Sequence, residues 1–181
     1  MSSNALIVVD LQNEYLPDGK LALVGIEAAV SNAAAVIAWA REQGHSIIFI
    51  RHVSPDPAAP FFTAGTPAIE IIEAVSPLDG DLVIEKHFPN SFRETSLKQI
   101  LEEKGVRDLT IVGAMSHICI DATTRAAVDF GYTTTLVHDA CATRDMEFEG
   151  RTVPASFVHD AFMSALNFAY AKVTKTEDLV K

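Results

Sequence analysis

Apolar and polar residues alternate along this chain in blocks of two kinds. Short apolar runs, rich in β-branched side chains, alternate with longer stretches of helical spacing. Residues 5–9 (Ala-Leu-Ile-Val-Val) form a continuous apolar run, the pattern of a strand covered on both faces. Residues 28–43 have helical spacing, with Gly44 as the stop. Further strands are predicted over 46–50, 81–85, 109–113 and 133–138, with a short last one over 172–174. Further helices are predicted over 68–74, from a cap at Thr95 to near Gly105, over 119–130 before Gly131, and over 155–169. Residues 53–67 hold four prolines and a glycine and read as a loop placed to act as a lid. No repeat, linker or low-complexity tract interrupts the alternation. The pattern predicts one α/β domain over residues 1–181, with a mainly parallel, doubly wound sheet.

Composition narrows the function classes. Hydrophobic residues make up 49% of the 181, enough to build a core. The formal net charge of -10 repels phosphate backbones, which argues against nucleic acid as a partner. The start, Met1-Ser-Ser-Asn4, lacks a basic leader, and no apolar run approaches the ~18 residues of a membrane span. A cytoplasmic protein with reduced thiols is therefore expected. The two cysteines, Cys119 and Cys141, form no Cys-x-x-Cys motif, which weakens a thiol-redox reading.

In open parallel sheets, sites form beyond the carboxyl ends of the strands. Three reactive residues fall at such ends. Asp10 follows the first predicted strand, Lys86 the third, and Cys119 lies just past the fourth, where a helix is predicted to begin. A helix N-terminus and a nearby ammonium would both favour a thiolate. Asp10 would accept the thiol proton and return it to a leaving amine. Each residue also has a bland reading. Buried cysteines are commonly inert, an aspartate can cap a turn, and a lysine can be plain surface. Cys141, with no catalytic neighbours in sequence, is expected to be structural.

Several segments together resemble the isochorismatase-like cysteine hydrolase family. They are Asp10-Leu-Gln12, Lys86 with Ser91-Phe92, Gly113-Ala-Met-Ser-His-Ile-Cys119, Asp121-Ala-Thr-Thr-Arg-Ala-Ala127, Gly131-Tyr132 and Asp139-Ala-Cys-Ala-Thr143. The resemblance implies a Rossmann-like three-layer domain and an Asp10–Lys86–Cys119 triad. It also implies a cis peptide between Ala114 and Met115, with the backbone N–H groups of Met115 and Cys119 forming an oxyanion hole. The implied reaction is cleavage of a small amide or carbamoyl C–N bond through a thioester on Cys119. Family members often form dimers or tetramers, so a homodimer or homotetramer acting on a small-molecule substrate is expected.

Departures from the family pattern refine this. Nicotinamidases of the family hold a metal with an Asp-x-His pair after the second strand. Here that place reads Arg51-His52-Val53, and one histidine is a poor zinc site, so no metal and no cofactor is expected. Isochorismatases proper cleave a vinyl ether without the cysteine; ether hydrolysis is the alternative chemistry. A nucleotide- or flavin-binding module is a further alternative, but Leu11-Gln-Asn-Glu-Tyr15 offers no glycine-rich phosphate loop. An idle interaction protein on the same fold is another. Gln12, Tyr15, Phe61, Phe62 and His87 are the candidate substrate-binding residues, with His52 as a further possible wall. His117 is expected to point away from Cys119, Asp139 to make structural hydrogen bonds, Arg125 to form a structural ion pair, and Trp39 to pack in the core or at a subunit contact.

Overall fold

A computed structural model describes residues 3–181. Met1 and Ser2, part of the start read above as lacking a basic leader, lie outside the described residues. The strands are β1 (Asn4–Val9), β2 (Ser46–His52), β3 (Leu82–Lys86), β4 (Asp108–Ala114), β5 (Thr133–Ala142), β6 (Met146–Phe148), β7 (Arg151–Val153) and β8 (Lys172–Thr174). The α-helices are α1 (Ile26–Glu42), α2 (Leu97–Glu103), α3 (Asp121–Asp129), α4 (Ala155–Ala169) and α5 (Thr176–Leu179). Six strands form one sheet in the order β3-β2-β1-β4-β5-β8, and every neighbouring pair in it is parallel. β6 and β7 make a separate antiparallel hairpin.

The period-two geometry of β1 divides the core. Leu6 and Val8 pack against α1, whose buried residues Ile26, Ala29, Val30, Ala33, Val36, Ile37 and Ala40 recur every three to four positions. Ala5, Ile7 and Val9 face the opposite layer, with Leu97 and Leu101 of α2, Ala127 of α3, and Met163 and Leu166 of α4. The sheet is thus covered on both faces, which is why its strands read as unbroken apolar runs. The chain winds outward from β1 to β3, then returns through α2 to β4 on the other side. The reversal lies between β1 and β4, where α/β sheets open a crevice at their carboxyl ends.

The main differences from the sequence reading are local. Residues 68–74 form no helix; single 3-10 turns at Pro67–Ile69 and Glu73–Val75 replace it. β5 runs four residues beyond the predicted 138, because Ala140, Cys141 and Ala142 stay buried. The β6–β7 hairpin and α5 were not predicted. The predicted helix over 119–130 is split. A five-residue wide turn, Ser116–Ile120, carries Cys119, and α3 starts only at Asp121. Lys86 is the last residue of β3 rather than the residue after it. Among the described residues, no helix is long and apolar enough to cross a membrane.

Gly113 makes the close approach of β4 to β1 possible. Its φ is +132°, and a Cβ there would lie 2.0 Å from the carbonyl oxygen of Val9. The register between β4 and β5 slips at the same place, between Ile111 and Gly113, which re-aims the chain into the turn bearing Cys119. Gly113→Ala is expected to destabilise the fold by about 3 kcal/mol or more, from overpacking plus a disfavoured φ. Urea denaturation monitored by circular dichroism measures this, and an unchanged midpoint would refute it.

Candidate active site

The ends of four adjacent strands build the site. Asp10 follows β1 directly, with φ +51° and its backbone N–H donating to Ile50 O at 3.0 Å. The left-handed region is uncommon for a non-glycine residue, though aspartate tolerates it better than most. Lys86 ends β3, two strands from β1, and is paired in register with His52 at the end of β2. Its four-carbon side chain spans the end of β2. Lys86 Nζ lies 2.8 Å from Asp10 Oδ2, 3.4 Å from Cys119 Sγ and 3.3 Å from His52 Nδ1.

An ammonium has three protons, and these three neighbours are placed to take them. Asp10 and Lys86 side chains are both fully buried, and Cys119 is 6% exposed. Beyond the Lys86 ammonium and the adjacent Cys119 thiol, the Asp10 carboxylate has no hydrogen-bond partner among the described residues. A buried ion pair repays its desolvation poorly, so its value to folding is small at best. Its place beside a thiol and under a cavity marks it as a site.

The electrostatics give each group a resting state. Burial works against the Lys86 ammonium, but Asp10 and Cys119 outweigh it and hold its pKa above the ordinary value. Burial, then the Asp10 charge, pushes the Cys119 thiol well up; Lys86 only partly offsets them. This reverses the sequence expectation of a lowered thiol pKa. Cys119 lies on the wide turn before α3, not in a first helical turn, and it has a carboxylate as well as an ammonium beside it. The resting sulfur is therefore protonated. His52 is pushed down to about 4, by burial first and then by Lys86. Its ring is neutral at ordinary pH.

A cavity of about 190 Å³ opens over the sulfur. Its floor is Cys119 with Met115 and Ile118; its walls are Tyr15 and Leu21 from one loop, and Ser54, Ala59, Phe61 and Phe62 from residues 53–67. His52 and Pro89 complete it. The Ala114–Met115 peptide at its edge is cis. The two wall loops are tied together by buried Glu14, whose carboxylate accepts from Lys20 N and Phe62 N, each at 2.9 Å. Lys20 Nζ also donates to Pro60 O at 2.8 Å.

Tyr15, Phe61, Phe62, Met115 and Cys119 thus share one cavity, and Asp10 and Lys86 lie beside its sulfur. Two sequence candidates lie elsewhere. Gln12 is fully buried, and its amide is consumed by backbone: it donates to His52 O and Ile69 O and accepts from His52 N, each at 2.8 Å. It fixes the end of β2 instead of touching the cavity. His87 is exposed, with Nδ1 2.8 Å from Val53 O. The residue before it in the strand points inward, so period-two geometry turns His87 away.

Glu14 was missed, because a carboxylate in a loop reads as surface until its two N–H donors are seen. His117 is turned to Thr143 Oγ1 at 2.6 Å, Asp139 Oδ1 accepts from Thr176 N and Oγ1 at 2.8 Å, and Arg125 pairs with Asp121 at 2.8 Å. Trp39 is partly buried and packs against the core. Cys141 is a buried free thiol donating to Val137 O at 3.3 Å, and burial pushes its pKa up to about 12. Among the described residues, no three His, Cys, Asp or Glu side chains are grouped to hold a metal ion.

The family model described as the isochorismatase domain matches residues 4–178. The chain is 46% identical to the isochorismatase family protein YddQ of Bacillus subtilis, covering 99% of both chains. The crystal structure of an isochorismatase from Pseudomonas putida superposes with a TM-score of 0.88 at 40% identity, covering 98% of this chain and 90% of that one. At 26% identity stand the maleamate amidohydrolase of Pseudomonas putida, covering 98% of this chain and 85% of that protein, and N-carbamoylsarcosine amidase from Thermoplasma acidophilum. The latter superposes with a TM-score of 0.82 over 96% of both chains.

The His52 shift has a sign that stability measurements can read. Its folded pKa of about 4 lies below the ordinary 6.5. Between those values the unfolded chain binds more protons, so His52 contributes stability that is full above pH 6.5 and is lost as pH falls toward 4. His52→Asn lacks this group. Its stability is expected to fall less steeply than wild type between pH 6.5 and 4 in urea titrations, and parallel curves would contradict the assignment.

Proposed function

Because the chain belongs to the isochorismatase family of hydrolases, we propose that it cleaves a small amide or carbamoyl C–N bond through a thioester on Cys119. One observation carries the reading: Lys86 Nζ sits 2.8 Å from Asp10 Oδ2 and 3.4 Å from Cys119 Sγ, beside a mainly apolar cavity. The relatives that cleave amides, a maleamate amidohydrolase and an N-carbamoylsarcosine amidase, support the choice of bond.

The resting thiol is protonated, so attack and proton transfer go together. Asp10 takes the Cys119 proton as Sγ bonds to the carbonyl carbon. Its carboxylate, beside the thiol and held by Lys86 with no backbone donor, suits a base that must accept a proton and hand it on. The backbone N–H groups of Met115 and Cys119 hold the oxyanion. The C–N bond then breaks, and Asp10 gives its proton to the departing amine or ammonia. Water next attacks the thioester, with Asp10 as base. The C–S bond breaks, the acid leaves, and the sulfur regains its proton. Lys86 stays charged throughout and stabilises whichever neighbour carries the negative charge.

Tyr15, Phe61 and Phe62 around the sulfur favour a small, largely apolar group there. We place the protein with a small-molecule substrate in a homodimer or homotetramer in the cytoplasm, in keeping with the family.

A screen of small amides, carbamoyl compounds and lactams for release of ammonia or amine tests the reading. With a substrate in hand, Cys119→Ala and Asp10→Asn are each expected to lower kcat by about a thousandfold or more. Intact-mass spectrometry of wild type after brief exposure should show an acyl adduct on Cys119. Full turnover by Cys119→Ala would refute the scheme.

A further inference from the structure

The proposed mechanism leaves one cavity-wall group unused. His52 Nδ1 lies 3.3 Å from Lys86 Nζ. The ammonium can only donate, so Nδ1 must accept and the ring proton must sit on Nε2. His52 lines the cavity, and among the described residues Nε2 has no hydrogen-bond partner. The ring is held from two further sides: Phe62 meets it edge-on with centroids 5.1 Å apart, and Gln12 clamps the His52 backbone N–H and C=O at 2.8 Å each. A neutral imidazole is thus fixed in tautomer, position and orientation, with one N–H unspent in a mainly apolar cavity.

We propose that His52 is a substrate-specificity residue, whose Nε2–H donates to an acceptor oxygen on the substrate other than the scissile carbonyl. This rests on the reading of the cavity as the site of attack. It narrows the substrate class to compact, largely apolar amides or carbamoyl compounds that carry one further acceptor oxygen near the reacting carbon. The group is well suited to the task. Its pKa, pushed down to about 4, keeps it from becoming a second cation beside Lys86, so it offers a hydrogen bond without selecting by charge. Lys86 in turn polarises the ring through Nδ1 and strengthens Nε2–H as a donor.

Alkylation of Cys119 tests this without turnover, so a protein that hydrolyses none of the screened amides still reports on His52. Iodoacetamide carries an acceptor oxygen next to the carbon attacked by sulfur; 1-iodopropane is of similar size and has none. The readout is the ratio of the two rate constants at Cys119, followed by peptide mass spectrometry. His52→Asn places an acceptor where Nδ1 was but has no N–H at the Nε2 position. His52→Gln places an N–H near that position.

The ratio is expected to fall about three- to tenfold in His52→Asn, the worth of one hydrogen bond, and to be largely retained in His52→Gln. An unchanged ratio in His52→Asn overturns the proposal, as does an equal fall in both variants. The wild-type protein provides a check that needs no substitution. Nitrogen-15 NMR at pH 7 should show His52 Nδ1 unprotonated and Nε2 protonated, and the opposite tautomer would also overturn it.

Discussion

The site depends on one ammonium group held in the dry interior. Lys86 begins at the edge strand β3, and its Nζ reaches an aspartate on β1 and a cysteine beyond β4. On the way, Nζ donates a hydrogen bond to the His52 ring at the end of β2. An unpaired ammonium at this depth would lose its proton or unfold its surroundings. With three acceptors it stays charged, and its charge in turn allows a carboxylate to sit buried beside a thiol. Removing any one of the three would leave the others with an uncompensated charge or an orphaned proton.

Much of the remaining architecture keeps those partners in place. Asp10 is turned toward the ammonium by a left-handed backbone, and Gln12 locks the end of β2 two residues later in the chain. The missing side chain at Gly113 lets β4 run against β1, so that the turn carrying Cys119 closes over the carboxyl end of the sheet. The same burial that strengthens these contacts raises the thiol pKa. In the proposed reaction a protonated sulfur with a carboxylate at its side is poised for proton transfer during attack, whereas a standing thiolate would be open to adventitious oxidation.

The strands and the carboxyl-end residues were legible because both follow from burial. A strand covered on two faces has to be apolar throughout, so an ionisable residue at its end marks the crevice. That logic found Asp10, Lys86 and Cys119. It was blind to side-chain direction once regular structure stopped. Gln12 and Glu14 sit in one loop with Tyr15, yet only Tyr15 faces the cavity; the other two are consumed by backbone groups of His52, Phe62 and Ile69, far off in sequence, and of Lys20. His87 had the right neighbour but the wrong parity on the strand. Cys119 and Ile120, the end of the wide turn, were read as the start of a helix because apolar spacing does not separate the two. β5 was cut short after His138 because Asp139 is polar, although Asp139 is there to hold the start of α5.

Chemistry and selectivity thus come from different layers of the fold. The sheet ends supply the acid, the ammonium and the sulfur, and their positions are fixed by strand register. The cavity walls come from two loops that have no register to obey. A single buried carboxylate, Glu14, joins them by holding Lys20 N in one loop and Phe62 N in the other. His52 stands at the boundary, with one nitrogen committed to the ammonium and the residue itself on the cavity wall. Its neighbour Arg51 faces outward, paired with Glu70 and Glu85 at 3.6 and 3.2 Å, so the end of β2 offers the site one imidazole and no carboxylate. Loop exchange could therefore change what the cavity admits while the charge relay beneath it stays intact, provided the new loop still meets Glu14 and leaves His52 its place over Lys86.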